Sequence, residues 1–136
     1  MKEENKIILY QDDNEITRVS VRFADEDLWL TQNQLADIYQ TSKSNVSEHI
    51  KHIFEDGELD KTVVVRNFRI TTQHGAMEGK TQSRDVAHYN LDMIIALGYR
   101  VQSQVATRFR RWATQRLHEY IQKGFAMDDE RLKQGG

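Results

Sequence analysis

A chain of 136 residues, 38% hydrophobic and 29% charged, has the composition of one globular domain rather than of a disordered segment. It has no cysteine, which excludes a disulfide framework and a thiolate metal site. No apolar run approaches the roughly 18 residues of a membrane span, and the N-terminus does not resemble a signal peptide. These exclusions predict a cytoplasmic protein with no membrane partner.

The formal net charge is −2, but the charges are unevenly distributed along the chain. Residues 1–60 carry 6 Lys+Arg and 14 Asp+Glu, whereas residues 98–136 carry 8 and 4. Such asymmetry indicates either a one-sided basic surface, as expected of a nucleic-acid-binding protein, or only a solvated helix face. The sequence leaves both interpretations open.

Two β-branched runs open the chain, and they predict a hairpin at the edge of a sheet. The runs are Lys6–Gln11 and Ile16–Phe23. A short third strand follows within Asp25–Thr31, with Leu28 and Leu30 on one face and Trp29 on the other.

The segment Thr31–Phe54 has the pattern of two short helices joined by a tight turn. Thr31 is a good N-cap, and Gln34 three residues later completes a capping box. Ser42 opens the second helix, whose apolar residues recur at helical spacing. The turn has no glycine, because Gln40 occupies the position at which a left-handed residue is expected. The spacing predicts a helix-turn-helix.

The register of this motif places Ala36 where the two helices cross and leaves one side of the second helix facing solvent. Hydroxyls and lysines on that side can approach base edges and phosphates, and the helix N-terminus attracts a phosphate. The candidate DNA-binding residues on this helix are Ser42, Lys43, Ser44, Ser47 and Lys51. Alternatively the helix pair is only a packing arrangement, which Glu48 and the acidic first helix favour.

The strongest strand pattern is Lys61–Thr72, which pairs most simply with Ser83–Leu91 across a glycine-bearing loop. A hairpin directly after a helix-turn-helix is the element order of a winged helix. The sequence therefore predicts an α+β, winged-helix-like domain with an N-terminal β-hairpin, a helix-turn-helix, a β-hairpin wing and a long C-terminal helix. Basic residues on the wing are either phosphate contacts or ordinary polar positions of a half-exposed sheet. They are Arg66, Arg69, Lys80 and Arg84.

Two helices are predicted to complete the domain. The first is Asn90–Tyr99, ended by Gly98, and the second and longer one is Gln104–Gly124, ended by its own glycine. The domain is thus expected to span residues 1–124. Residues 125–136 are expected to lead to a C-terminal part that is absent from this chain.

The long helix has an apolar and a basic side. Tyr99, Phe109 and Trp112 are expected to hold it against the sheet. Arg108 and Arg111 share its other side and are candidates for further phosphate contacts. The same helix is a candidate for homodimerisation, because helix-turn-helix proteins commonly bind DNA as two-fold dimers.

No catalytic constellation is visible in the sequence. His49 and His52 lie three residues apart on a predicted helix, as metal ligands can, but no further ligand completes a recognised pattern. There is no P-loop, nucleophile-elbow or dinucleotide-binding pattern. The protein is therefore expected not to be an enzyme and to need no cofactor and no metal.

Three stretches resemble one known bacterial family. They are LWLTQNQLADIYQTSKSNVSEHIKHIFEDGELD, TVVVRNF and, most distinctively, HYNLDMIIALGYRVQSQVATRFRRWATQRLHEYI. In these residues the chain is similar to the RhuM-family virulence proteins. The resemblance implies a protein of bacterial and mobile-element genomes, usually longer than this chain, whose biochemical function is not established. The layout also loosely resembles the Bro and KilA N-terminal DNA-binding modules of phages.

The function expected from these observations is DNA binding by a non-catalytic, regulatory module, through the second helix of the helix-turn-helix and the wing. A protein-interaction or dimerisation module without DNA binding is the alternative. The two hypotheses differ in where the positive charge lies. Convergence of the helix lysines and the wing cations on one face favours DNA, and burial of the lysine face against a partner subunit favours the interaction module.

Overall fold

Strands and helices follow the predicted chain order, with one short helix in addition. A computed structural model describes residues 6–12, 17–73 and 81–135, without the side chains of residues 72, 73, 81 and 123–135. In these residues the strands are β1 (Lys6–Gln11), β2 (Arg18–Ala24), β3 (Asp27–Leu30), β4 (Val65–Gln73) and β5 (Thr81–Asn90). The helices are α1 (Gln32–Tyr39), α2 (Lys43–Glu55), α3 (Lys61–Val64), α4 (Leu91–Val101) and α5 (Gln104–Gly135).

The strands form one antiparallel sheet in the order β1-β2-β3-β5-β4. Strands β4 and β5 pair over nine residues each, whereas β3 joins β5 only at Tyr89 and Asn90. The outer part of the second hairpin therefore extends beyond β3. The structure confirms the α+β class, the pairing of both hairpins and the long C-terminal helix.

The alternation of side chains along each strand gives the sheet two unlike faces. Val21, Phe23 and Leu30 point to the face that the helices cover, and they are fully buried in the main core. On the opposite face, Trp29 and Phe68 form a small separate cluster, with their ring centroids 5.8 Å apart. The predicted split of β3 between the two faces is confirmed.

The predicted helix-turn-helix is formed, and its capping residues act as the sequence indicates. The Thr31 hydroxyl accepts from the Gln34 amide at 3.1 Å, and the Gln34 side chain accepts from the Thr31 amide at 2.9 Å. The Ser42 hydroxyl caps α2 by accepting from Asn45 N at 3.0 Å. Gln40 adopts the left-handed conformation, with φ 52°, which the motif requires at that turn.

Two predicted boundaries around the second hairpin and α4 are wrong. Lys61–Val64 is a turn of helix rather than strand, because the Asp60 carboxylate accepts from the amide and the hydroxyl of Thr62 and so caps it. Helix α4 passes through Gly98 to Val101, and its C-cap residue, Gln102, lies in the left-handed region with φ 51°. Gly98 is a packing residue, since a Cβ there would lie 2.7 Å from the Ala106 Cβ on α5.

Helix α5 continues past the predicted end at Gly124 to Gly135. An interior glycine costs about 1 kcal/mol relative to alanine, which does not by itself end a helix. Phe109 is buried, and Trp112 packs beside it against Tyr10, as expected for the helix-to-sheet contact. The prediction for Tyr99 is wrong, because its side chain is 68% exposed.

Candidate nucleic-acid interface

The solvent-facing side of α2 carries the residues predicted from the motif. Val46, Ile50 and Ile53 are buried, and their helical spacing turns the intervening polar residues outward. The outward residues at the start and middle of the helix are Ser42, Lys43, Ser44, Ser47 and Lys51, all exposed. Ser42 is engaged as the cap, so the remaining four side chains face solvent.

The two lysines of this face carry charge that is little compensated. Among the described residues, Lys43 has no ion-pair partner within 4.0 Å. Lys51 lies 3.9 Å from Glu55, but both side chains are more than half exposed. Such exposed pairs contribute little and leave the lysine available to another anion.

Lys43 and Arg84 line one cleft, of about 270 Å³, between the start of α1, the start of α2 and strand β5. Gln32 also lines it, and its side-chain amide donates to the Tyr89 hydroxyl at 2.9 Å, which fixes the start of α1 against the sheet. A carboxylate, Asp85, lies in the same lining. Lys43 of α2, and Arg84 and Asp85 of the hairpin, are therefore the charged residues that line this polar depression.

Sequence reasoning missed the contribution of α1 to this cleft. Gln32 and Asn33 follow the capping residue Thr31 directly, and all three line the cleft. The capping box could have indicated this contribution. The first residues of a capped helix lie close to the strand before it, so their side chains can line a cleft between the two elements.

The hairpin basic residues do not form one group. Arg69 is exposed and lies directly opposite Asp85 on β5. Arg84 lies opposite Ile70, so its side chain leaves the hairpin from the other face. Lys80 lies outside the described residues. Of the predicted wing cations, Arg84 is the one that the described cleft joins to α2.

Arg66 is held in the aromatic cluster on the uncovered face of the sheet. Its guanidinium forms an ion pair with Asp25 and lies 4.7 Å from the centroid of the Phe68 ring. Arg22 lies over the same ring at 4.8 Å. The Arg66 guanidinium is therefore engaged with Asp25 and Phe68 in this structure, and its phosphate contact stays a prediction.

Arg108 is also engaged inside the protein. Its Nε and Nη2 atoms donate to the two carboxylate oxygens of Asp12, each at 2.9 Å, and the Asp12 side chain is buried. This ion pair ties α5 to the end of β1, and the phosphate contact of Arg108 stays a prediction. Arg111 is exposed, in a shallow depression lined by α5 residues such as Arg110 and His118.

A comparison with protein-family models matches residues 63–136 to the Virulence protein RhuM family. This match covers more than half of the chain. The chain belongs to the RhuM family. No curated protein and no solved structure matches the chain significantly. The matched part of this RhuM-family chain begins within α3 and includes the hairpin, α4 and α5, whereas the helix-turn-helix precedes it.

Some basic residues of this RhuM-family chain form ion pairs with acidic residues that lie far away in the sequence. Arg100 donates to Asp56 and Glu58, each at 2.9 Å, which joins α4 to the turn after α2. Together with the Arg66 and Arg108 pairs, this contact uses basic residues from beyond position 60 to neutralise acids before it. Three described arginines, Arg66, Arg100 and Arg108, are thus paired with acidic residues of the N-terminal half.

Asp27 in the acidic approach to α1 is half-buried, and its carboxylate is hydrogen-bonded within the protein. Its carboxylate accepts from the Leu28 amide at 2.8 Å and from the Leu91 amide and the Asn90 side chain at 3.3 and 3.2 Å. Burial raises the pKa of Asp27, and these hydrogen bonds oppose that shift. The Asp27 carboxylate therefore stabilises the junction between β5 and α4 through hydrogen bonds to Asn90 and Leu91.

The described part of the RhuM-family chain contains no cluster of three or more His, Cys, Asp or Glu side chains suited to a metal ion. Within it, no helix is both long and apolar enough to cross a membrane. His52 of the predicted histidine pair lies 4.0 Å from Glu48 on the exposed side of α2.

Proposed function

We propose that this RhuM-family chain is a non-catalytic DNA-binding module, with a regulatory role in a virulence-associated or mobile-element setting. Helix α2 enters the major groove, and the β4–β5 hairpin acts as the wing that contacts the phosphate backbone beside it. The observation that carries the proposal is the polar cleft that joins the N-terminus of α2 to β5, because Lys43 and Arg84 both line it and, among the described residues, neither has an ion-pair partner within 4.0 Å.

The dimensions of the hairpin support its assignment as a wing. The strand β4 runs eight residues beyond Val65, which pairs with Tyr89 at the junction with β3. At about 3.4 Å per residue, this part of the hairpin is about 27 Å long. That length lets the hairpin follow the backbone beyond the groove that α2 occupies.

The chemistry of the α2 surface supports readout of base edges. Ser44 and Ser47 are short hydroxyl side chains on the exposed face, and they let the helix backbone approach the floor of the groove. Lys43 stands at the first position of the helix, where the backbone amides also attract a phosphate. Glu48 shares this face and can accept a hydrogen bond from cytosine N4.

The proposal is tested by fluorescence anisotropy on mixed-sequence duplex DNA at several salt concentrations, with the double variant Lys43→Glu, Lys51→Glu. We expect the wild type to bind with an affinity that falls linearly in log[salt], and the double variant to lose binding. A matched control is Lys6→Glu with Lys61→Glu, which reverses two exposed lysines on β1 and α3. Equal loss in both double variants, or no binding at low salt, would refute the proposal.

A protein-interaction module is the second candidate, and one surface favours it. Ile7 and Leu9 on the edge strand β1 are 52% and 55% exposed, on the face of the sheet that the helices leave uncovered. The 32-residue helix α5, about 48 Å long at 1.5 Å per residue, is the candidate dimerisation element. Light scattering across a concentration series distinguishes a monomer from a dimer, and a dimer that does not bind DNA would favour this candidate.

A further inference from the structure

A cavity of about 230 Å³ lies between α4 and α5, with the end of α1 as its third wall. Apolar side chains form much of its lining, contributed by Ile94 and Ile95 of α4 and by Ala106 and Phe109 of α5. The volume lies below the roughly 300–1,000 Å³ of pockets for drug-sized ligands, so the site suits a compact molecule.

Arg110 gives this cavity an uncompensated positive charge. It is the charged residue of the described lining, and its guanidinium donates to the Tyr99 hydroxyl at 2.8 Å. Among the described residues no carboxylate lies within ion-pair distance of it, in contrast to Arg100 and Arg108. No acidic residue occupies the positions three or four residues before or after it on α5, so its helix does not neutralise it either.

An apolar cavity with one cation on its lining indicates the chemistry of a ligand that would fit it. Its ligand has a short hydrocarbon body to fill the apolar part and an anionic group to meet the guanidinium. A carboxylate matches the planar donor pattern of arginine and accepts two parallel hydrogen bonds from it. We propose that the cavity binds a small aliphatic carboxylic acid, with its carboxylate on Arg110 and its chain between α4 and α5.

The position of the cavity connects it to the helix-turn-helix. Tyr39 lines the cavity, and its buried hydroxyl donates to the Ile94 carbonyl at 2.6 Å. Tyr39 is also the last residue of α1, directly before the left-handed turn at Gln40. A bound acid therefore contacts the scaffold that sets the position of α2. This regulatory consequence rests on the proposed DNA binding, whereas the binding site itself does not.

The test uses hexanoate, hexanol and acetate with the full chain, because they separate the hydrocarbon body from the charge. Binding is measured without DNA by chemical-shift titration of isotopically labelled protein. We expect hexanoate to bind with shifts at residues of α4 and α5, hexanol to bind about ten-fold more weakly, and acetate to give no comparable shifts. Equal binding of hexanoate and hexanol, or no binding of hexanoate, would overturn the proposal.

The variant Arg110→Gln, with Arg111→Gln as its matched control, tests the role of the guanidinium. Both remove one exposed arginine from the same helix, but Arg111 is outside this cavity lining. We expect Arg110→Gln to weaken hexanoate binding about ten-fold and to leave hexanol binding unchanged, and Arg111→Gln to change neither. The reverse pattern would overturn the assignment of Arg110.

The regulatory consequence is tested separately by repeating the DNA anisotropy titration with and without hexanoate. A change in DNA affinity in wild type, absent in Arg110→Gln, supports coupling through Tyr39. Unchanged DNA affinity while hexanoate binds would reject the coupling but keep the site. Loss of DNA binding under all conditions would reject the proposed function and leave the acid site standing.

Discussion

Arg108 and Asp12 are separated by 96 positions in the chain, and they form a bidentate ion pair in which both hydrogen bonds are 2.9 Å long. The Tyr10 hydroxyl donates to the same carboxylate at 2.5 Å. The Asp12 side chain is buried, while that of Arg108 is partly exposed. The pair therefore fixes the long helix α5 to the end of the first strand and supplies the buried charge with its counter-charge.

We expect Arg108→Met to lower the free energy of unfolding by about 2–3 kcal/mol, because it removes both hydrogen bonds that the guanidinium donates to a buried carboxylate. The estimate is below the usual figure for a buried pair, since Arg108 is partly exposed and Tyr10 keeps its hydrogen bond. Urea denaturation measures the change. Arg111→Met is the control, with an expected change within about 0.5 kcal/mol.

The double variant Asp12→Asn, Arg108→Met tests the cause of that loss. Because it removes the buried charge together with its partner, we expect it to be more stable than Arg108→Met alone. The free energy of unfolding of Asp12→Asn alone completes the cycle. If the losses in the two single variants simply add up in the double variant, the two residues do not interact energetically.

Local signals in the sequence predicted local structure well, and for a physical reason. A capping hydrogen bond joins residues three positions apart, so Thr31 with Gln34, and Ser42 with Asn45, act within a window that the sequence displays. The absence of a glycine at position 40 was also recognisable from the sequence, because a tight turn requires a left-handed residue at one fixed position.

Long-range partners were not predictable in the same way. Nothing near Arg108 indicates Asp12, and nothing near Arg66 indicates Asp25, because those contacts arise only when the sheet and helices assemble. Gly98 was misread for a related reason. The sequence shows a glycine that can end a helix, but only the packing of α5 shows that it is needed where two helices approach closely.

Gln40 adopts left-handed backbone at the turn of the helix-turn-helix, with φ 52°. Glycine adopts this region without the steric cost that a Cβ imposes. We expect Gln40→Gly to raise the free energy of unfolding by about 0.5–1 kcal/mol, less a small loss from the 3.3 Å hydrogen bond to Thr17. Urea denaturation measures it, and Gln40→Ala, which removes the side chain but keeps the Cβ, is the control and should not be stabilising.

Gly98 allows α4 and α5 to approach, and we expect Gly98→Ala to destabilise the protein by about 1–3 kcal/mol despite the better helix propensity of alanine. The added Cβ would lie 2.7 Å from the Ala106 Cβ and 3.1 Å from the Tyr39 hydroxyl. Thermal unfolding of Gly98→Ala, Ala106→Gly and the double variant forms a cycle. If the clash with Ala106 is the cause, the second substitution recovers part of the loss; strict additivity would contradict this explanation.

His88 is buried beside Phe68, and burial lowers its pKa from the ordinary value of 6.5. The hydrogen bond from its Nδ1 to the Val86 carbonyl opposes the shift, and the charge of Arg22 adds to it. The unfolded chain therefore takes up a proton at His88 before the folded chain does. Stability is unaffected by this group well above pH 6.5 and falls as the pH drops below that value.

The measurement is urea denaturation at about pH 7.5 and about pH 5.5, for wild type and for His88→Gln. One proton contributes at most about 1.4 kcal/mol per pH unit, so the difference is within reach of the method. We expect His88→Gln to show a smaller loss of stability at the lower pH. An equal loss in both proteins would assign the pH dependence to other groups.

The final prediction separates the cations that sequence reasoning grouped together. If α2 and the hairpin contact phosphates as proposed, Lys43→Ala and Arg84→Ala should each reduce the slope of log affinity against log[salt] by about 1. Arg66→Ala should lower stability but leave the slope unchanged, because its charge is engaged with Asp25. Arg111→Ala should alter neither, since its depression is lined by α5 residues and not by α2 or the hairpin. A reduced slope for Arg111→Ala, with none for Arg84→Ala, would move the DNA to α5 and refute the wing.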